Sequence, residues 1–147
     1  MKLIDASETV VIVVGSDARV EERDGPTARR LKEEIDQRSD GQSFRRAVIV
    51  TDAWYVEHEV LHPNPTIVLG GPGVNRMAGA WSQGTSLLWS RDRRAFLQAD
   101  YDSEPKRALL WGGDAEATMV AVQAFVSQGF LDDLLRRIWR FRTEVYV

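Results

Sequence analysis

The chain alternates between short apolar runs and amphipathic stretches. Thr9 to Val14 (TVVIVV) is almost entirely β-branched and apolar. It predicts a strand buried on both faces, as in parallel sheets. Arg46 to Thr51 (RAVIVT) predicts a second buried strand, Thr66 to Leu69 (TIVL) a third and Arg107 to Trp111 (RALLW) another. Thr85 to Trp89 is a further candidate strand; Ser90 to Arg94 is a charged turn, with Ala95 to Ala99 as a hairpin edge. Between the first two strands, Ala18 to Gly25 is rich in charge and reads as an exposed loop. Pro26 suits a first helical position. Ala28, Leu31 and Ile35 then form a narrow apolar stripe, so a helix is expected from Pro26 to about Arg38, with Arg29/Glu33 and Arg30/Glu34 as i,i+4 pairs.

Asp52 to Pro65 has no clean period and is expected to hold one or two helical turns before an extended entry to the third strand. A short helix is predicted from Val74 to about Trp81. Ala115 to Gln128 is apolar nearly all round, which predicts a buried helix behind Asp114 as N-cap and ahead of Gly129 as a stop. Phe130, Leu131, Leu134, Leu135, Ile138 and Trp139 mark a final amphipathic helix, and Thr143 to Val147 is a short strand or a frayed tail. Strands alternating with helices across glycine-rich junctions indicate a three-layer α/β domain, 1–147, with a mostly parallel sheet and helices on both faces.

Composition narrows the picture. The 147 residues are 44% hydrophobic and 28% charged, the balance of an ordinary globular domain. A net charge of −3 supplies no basic field for nucleic acid or an anionic membrane. There is no cysteine, which excludes a disulfide framework, a thiolate zinc site and a cysteine nucleophile. The first apolar run is too short for a signal-peptide core or a membrane span, so the expected location is cytoplasmic.

Polar clusters fall at the carboxyl ends of four predicted strands: Ser16 and Asp17, Asp52, the segment Gly70 to Asn75, and Gly113 and Asp114. In a parallel sheet these line one edge, where ligands bind. The same residue types also make turns and caps. Gly71-Pro72-Gly73-Val74-Asn75-Arg76 departs from G-x-G-x-x-G at its last position, and no G-x-x-x-x-G-K-[ST] is present, so no classical NAD or NTP motif exists. The amides near Gly73 and Val74, with Arg76, are instead candidates for a simple anion or phosphate. The expected ligand-binding set is Ser16, Asp17, Asp52, Gly71, Gly73, Asn75, Arg76, Gly113 and Asp114.

His58-Glu59-Val60-Leu61-His62 matches H-E-x-x-H, whose histidines can share a zinc ion on a helix with the glutamate as general base. Pro63 and Pro65 stop such a helix immediately, so His58 and His62 as metal ligands, and a zinc hydrolase, rank last. No Ser/His/Asp triad is assignable and Gly-x-Ser-x-Gly is absent. Trp54 and Tyr55 either line the crevice or cap the core.

The segments VVIVVGSD, ARRLKEEI, PTIVLGGPGVN and ALLWGGDAEATMVAVQAF together resemble the Rossmann-like domain of archaeal surface-layer proteins, and small bacterial proteins of unknown function with the same turn. Gly70, Gly71, Pro72, Val74 and Asn75 match the family's G-G-P-x-V-N turn. Gly113, Asp114, Thr118, Ala121 and Val122 match its later segment loosely. The resemblance implies a Rossmann-like fold and transfers no catalytic residue. The sequence thus leads to three expectations: a small-ligand or protein-binding module, a structural module assembling as a homo-oligomer through Phe130 to Phe141 or a strand edge, and a zinc hydrolase.

Overall fold

A computed structural model describes residues 4–139. Its centre is β1 (Val10–Val14), whose five residues are all buried. Branched side chains fit a pleated strand covered on both faces. β1 pairs in parallel with β2 (Ala47–Thr51) on one side and with β3 (Thr66–Leu69) on the other. Beyond β3, the parallel strand β6 (Arg107–Gly112) is followed by antiparallel β5 (Ala95–Asp100) and β4 (Leu87–Arg91). The result is one six-stranded, mostly parallel sheet of order β2-β1-β3-β6-β5-β4, an α/β architecture.

Strand alternation divides the core in two. Val10, Ile12 and Val14 join Ile67, Leu69, Leu97 and Leu110 in a cluster with side chains of α1 (Ala18–Gln37), α4 (Ala115–Ser127) and α5 (Phe130–Ile138). Val11, Val13, Val68 and Leu109 point the other way, into a smaller cluster with Tyr55 of α2 (Asp52–Glu57) and Ala78 of α3 (Arg76–Trp81). Among the described residues no helix is long and apolar enough to cross a membrane.

Several boundaries differ from expectation. Helix α1 begins at Ala18, not Pro26, so the expected loop from Ala18 to Gly25 is helical. Asp17 caps it by accepting from the Arg19 N–H at 2.8 Å. Its buried stripe is Val20, Asp24, Thr27, Ala28, Leu31 and Ile35. Two polar members hide this period from a hydropathy reading. Pro26 sits inside the helix, where a proline costs about 3 kcal/mol, and the burial of Val20 and the residues beyond it outweighs that. The expected Arg29/Glu33 and Arg30/Glu34 pairs do not form among the described residues. Lys32 pairs with Asp36 instead, and Arg38 with Glu34. β2 is only partly buried beyond Ala47, because it is an edge strand rather than an interior one.

β4 runs two residues later than expected at both ends, Leu87–Arg91. Its hairpin turns through Asp92 (φ 54°) and Arg93 (φ 55°). That turn needs two left-handed residues, a role usually signalled by Asn-Gly or Asp-Gly and not by arginine. Helix α3 starts at Arg76 rather than Val74, because Asn75 is its cap. The expected features at Arg140, Phe141 and Thr143 to Val147 lie outside the described residues.

Candidate functional site

The chain turns one way out of β1 and the other way out of β3: β1 leads to β2 through α1, whereas β3 leads towards β6. Such a reversal leaves a crevice at the strand ends. Here Asn75 fills it. Its side-chain amide donates to one carbonyl near the end of each strand, Val13 O at 3.1 Å and Leu69 O at 2.9 Å. Its Oδ1 accepts from the Met77 N–H at 2.9 Å and caps α3. The residue is 2% exposed. Asn75, expected to touch ligand, spends its polar groups on the fold.

The turn that delivers Asn75 lies tight against β1. A Cβ on Gly15 would stand 2.2 Å from Val74 O, so only glycine admits the turn at this distance. Gly70 has φ +101°, the left-handed region that favours glycine. Gly71 O accepts from the N–H groups of both Val74 and Asn75. The Val74 amide is therefore spent inside the turn and is not available to an anion.

In front of this plug lies an open groove of about 440 Å³. Of the expected residues, Ser16, Asp17, Asp52, Gly73, Asn75 and Arg76 meet there. Arg19 and Arg23, one turn apart on α1, join them and were not anticipated. Reading Ala18 to Gly25 as loop concealed them. The usable signal was Asp17 as an N-cap, which places Arg19 and Arg23 on one helical face. Among the described residues no guanidinium of Arg19, Arg23 or Arg76 takes a side-chain hydrogen bond or an ion pair within reach.

The groove's carboxylates face the backbone. Asp52, 2% exposed, accepts from the N–H groups of Ala53 at 2.7 Å and Arg76 at 2.8 Å. Burial opposes its charge. The Arg76 N–H, the Ser16 hydroxyl, the Ala53 N–H and the Arg76 charge together outweigh that and hold its carboxyl below the usual range. Asp24 behaves in the opposite way. It is 4% exposed, and its Oδ2 lies 3.3 Å from where a Gly70 Cβ would stand. Desolvation raises its pKa, and the neighbouring Arg23 charge offsets this only in part.

The remaining expected residues lie elsewhere. Gly113 and Asp114 share the sheet edge but are tied to the β4–β5 hairpin. The Gly113 N–H donates to Arg94 O at 3.1 Å. Asp114 caps α4 through Ala117 N–H and receives Arg94 Nη2 at 2.9 Å. Gly71 is buried against the Trp111 ring. His58 and His62 fall on different segments, because α2 ends at Glu57 and a separate 3₁₀ turn spans Glu59–Leu61. His58 Nδ1 is bonded to Trp54 O and its ring stacks on Trp54, with centroids 3.6 Å apart. His62 Nε2 is bonded to Tyr55 O. The continuous helix that lets H-E-x-x-H hold one zinc ion is missing. Tyr55 is core, whereas Trp54 is 40% exposed and outside the groove. A second groove, about 480 Å³ between α1 and α4, is lined mainly by apolar groups such as Leu31, Met119 and Val122 and lies away from these polar groups.

No protein-family model matches the chain, and no curated protein matches it either.

Two outcomes follow from this geometry. Asn75→Ala removes three hydrogen bonds from a buried position, two to strand carbonyls and one from a helix N–H, so it should lower unfolding free energy by about 3 kcal/mol in a denaturant titration. A loss under about 0.5 kcal/mol would show that the plug is dispensable. Asp24→Asn should raise stability at neutral pH, where the fold must bury a charged Asp24. With the folded pKa raised, that gain should shrink as pH falls through the folded value and vanish below the unfolded 3.8. Thermal melts of both proteins from pH 8 to pH 3 measure it; a gap independent of pH would contradict it.

Proposed function

We propose that this protein binds a small anion, phosphate or a phosphate-bearing compound, in the groove in front of Asn75. The observation that carries this reading is that Arg19, Arg23 and Arg76 all line this one groove, none ion-paired among the described residues. Unpaired arginines gathered on one concavity are suited to bidentate recognition of a phosphate. The nearby carboxylates do not cancel them in full: Asp52 is engaged by two backbone N–H groups, and Asp17 Oδ1 by another. Gly73, with open space around its Cα, lets a ligand approach the turn closely.

The strand order and the two core clusters support a three-layer, Rossmann-like reading of the fold. The G-G-P-G-V-N turn supports kinship with the surface-layer domains. In that reading the turn is kept for its structural role, since its asparagine closes the gap between β1 and β3. The zinc hydrolase is not carried forward, because its histidines sit on separate segments with ring nitrogens committed to Trp54 O and Tyr55 O.

A second reading, assembly with another copy, rests on β4. This strand is at the sheet edge, and Leu87 and Leu88 are 56% and 47% exposed. Unpaired apolar edges are sites of strand addition. The other expected surface is largely used up: Leu131, Leu134 and Leu135 of α5 are buried in the core.

Isothermal titration of inorganic phosphate should detect binding that weakens as salt rises. Arg76→Ala should raise Kd about tenfold or more, since a charge-assisted hydrogen bond contributes about 1.5–3 kcal/mol. The Asp52 contact survives in that variant, because it uses the Arg76 backbone N–H. Equal affinity in both proteins would sink the anion reading. For assembly, light scattering should give a dimer at high concentration that Leu88→Lys abolishes; a wild-type monomer throughout would reject it.

A further inference from the structure

Resting on the anion reading above, we infer that the groove is built for a sugar phosphate, and not for free phosphate or a nucleotide. Size is the first observation. At about 440 Å³ the groove lies within the range of small-molecule pockets and is several times larger than a tetrahedral anion fills. A phosphate held by these arginines therefore leaves room in the groove for an attached body.

The walls define that body. Among the described residues no aromatic ring lines the groove. The closest exposed ring in sequence, Trp54, is stacked flat on His58 and is not among the lining side chains. A nucleobase could then stack only on a guanidinium plane, in competition with the phosphate that the same arginines would hold, and would lack the aromatic platform that is the usual source of base affinity. The lining instead offers hydroxyl-recognising groups. Asp17 uses only Oδ1 to cap α1, and its Oδ2 has no hydrogen bond among the described residues. An ionised carboxylate oxygen accepts from hydroxyl groups and repels phosphate. Ser16, next to it, is exposed and contributes a hydroxyl.

The groove thus carries both signs of charge: guanidinium groups for a phosphate, and a free carboxylate oxygen for the hydroxyls of the attached body. A compact polyhydroxylated phosphate ester satisfies both. Inorganic phosphate uses only the first, and a nucleotide leaves its base without an aromatic platform.

The test is calorimetric titration of the full chain with inorganic phosphate, glucose 6-phosphate, ribose 5-phosphate and AMP, on the wild type and on Asp17→Asn. Asparagine caps helices as well as aspartate does, so the variant keeps α1 while an amide NH2 group replaces the free acceptor oxygen and the charge is lost; a thermal melt checks the fold, and the ratio to inorganic phosphate removes the effect of the lost charge on phosphate itself. At least one sugar phosphate should bind about tenfold more tightly than inorganic phosphate, the yield of one or two added hydrogen bonds. AMP should bind more weakly than that sugar phosphate. In Asp17→Asn the ratio of sugar-phosphate to phosphate affinity should fall towards one. If phosphate binds but neither sugar phosphate binds more tightly, or if the ratio survives in Asp17→Asn, the inference is overturned while the anion reading stands. If none of the four compounds binds, both fail.

Discussion

The arrangement depends on one amide. The β1–β3 ladder ends at the pair Val13 and Val68, one residue short of Leu69. There the Asn75 Nδ2 group donates to both Val13 O and Leu69 O, and the same side chain's oxygen starts α3. A buried side chain with three hydrogen bonds has one workable position, which fixes the path of the turn from Gly70. Gly15 and Gly70 follow from it: the first because Val74 O comes too close for a Cβ, the second because the turn must leave β3 through a left-handed residue. A crevice that in many α/β proteins would receive ligand is closed by the chain itself.

Closing the crevice moves the polar chemistry outward. With Asn75 sealing the gap, the concavity left over is bounded by the first turns of α1, the start of α3 and the loop after β1. Its charge separates by depth. Asp52 is buried and turned onto backbone N–H groups, where it ties β2 to α3. The arginines stand outside with their guanidinium groups unengaged among the described residues. Asp24 lies behind the same turn as a desolvated carboxyl against Gly70, which a purely structural element would hold more cheaply as a neutral residue.

Much of the fold was legible in the chain, because the central strands are consecutive branched residues that suit little else. TVVIVV and TIVL each bury completely at β1 and β3, and Asp114 and Gly129 bound α4 as their chemistry predicts. The misreadings share one cause: a tertiary contact overrode a local signal. Asp24 and Thr27 are polar yet lie on the buried stripe of α1, so the helix looked like a loop and then like one that begins at Pro26. Arg93 adopts a left-handed conformation that its side chain does not advertise. The candidate groove was legible by position but not by role. It lies at the carboxyl ends of β1, β2 and β3, where the sequence clusters polar residues, yet nothing local distinguishes an asparagine that binds ligand from one that replaces it. Asp114, equally well placed, is spent on Arg94 and its own helix.

The role proposed above is binding, and the state of the groups around the groove fits it. A hydroxyl nucleophile needs a base that will take its proton, with a pKa near the working pH. Ser16 has a carboxylate within reach, but it is Asp52, whose pKa is held down by the N–H groups of Arg76 and Ala53 and by Ser16 itself. A carboxylate stabilised in its charged form is a poor proton acceptor. Neither histidine lines the groove, and each is bonded to a backbone carbonyl of α2. Asp24 has the raised pKa that proton transfer would call for, but it is buried against Gly70 and is not among the groove's lining. Asp52, Asp24 and both histidines are thus each engaged by the fold, which fits the binding role proposed above.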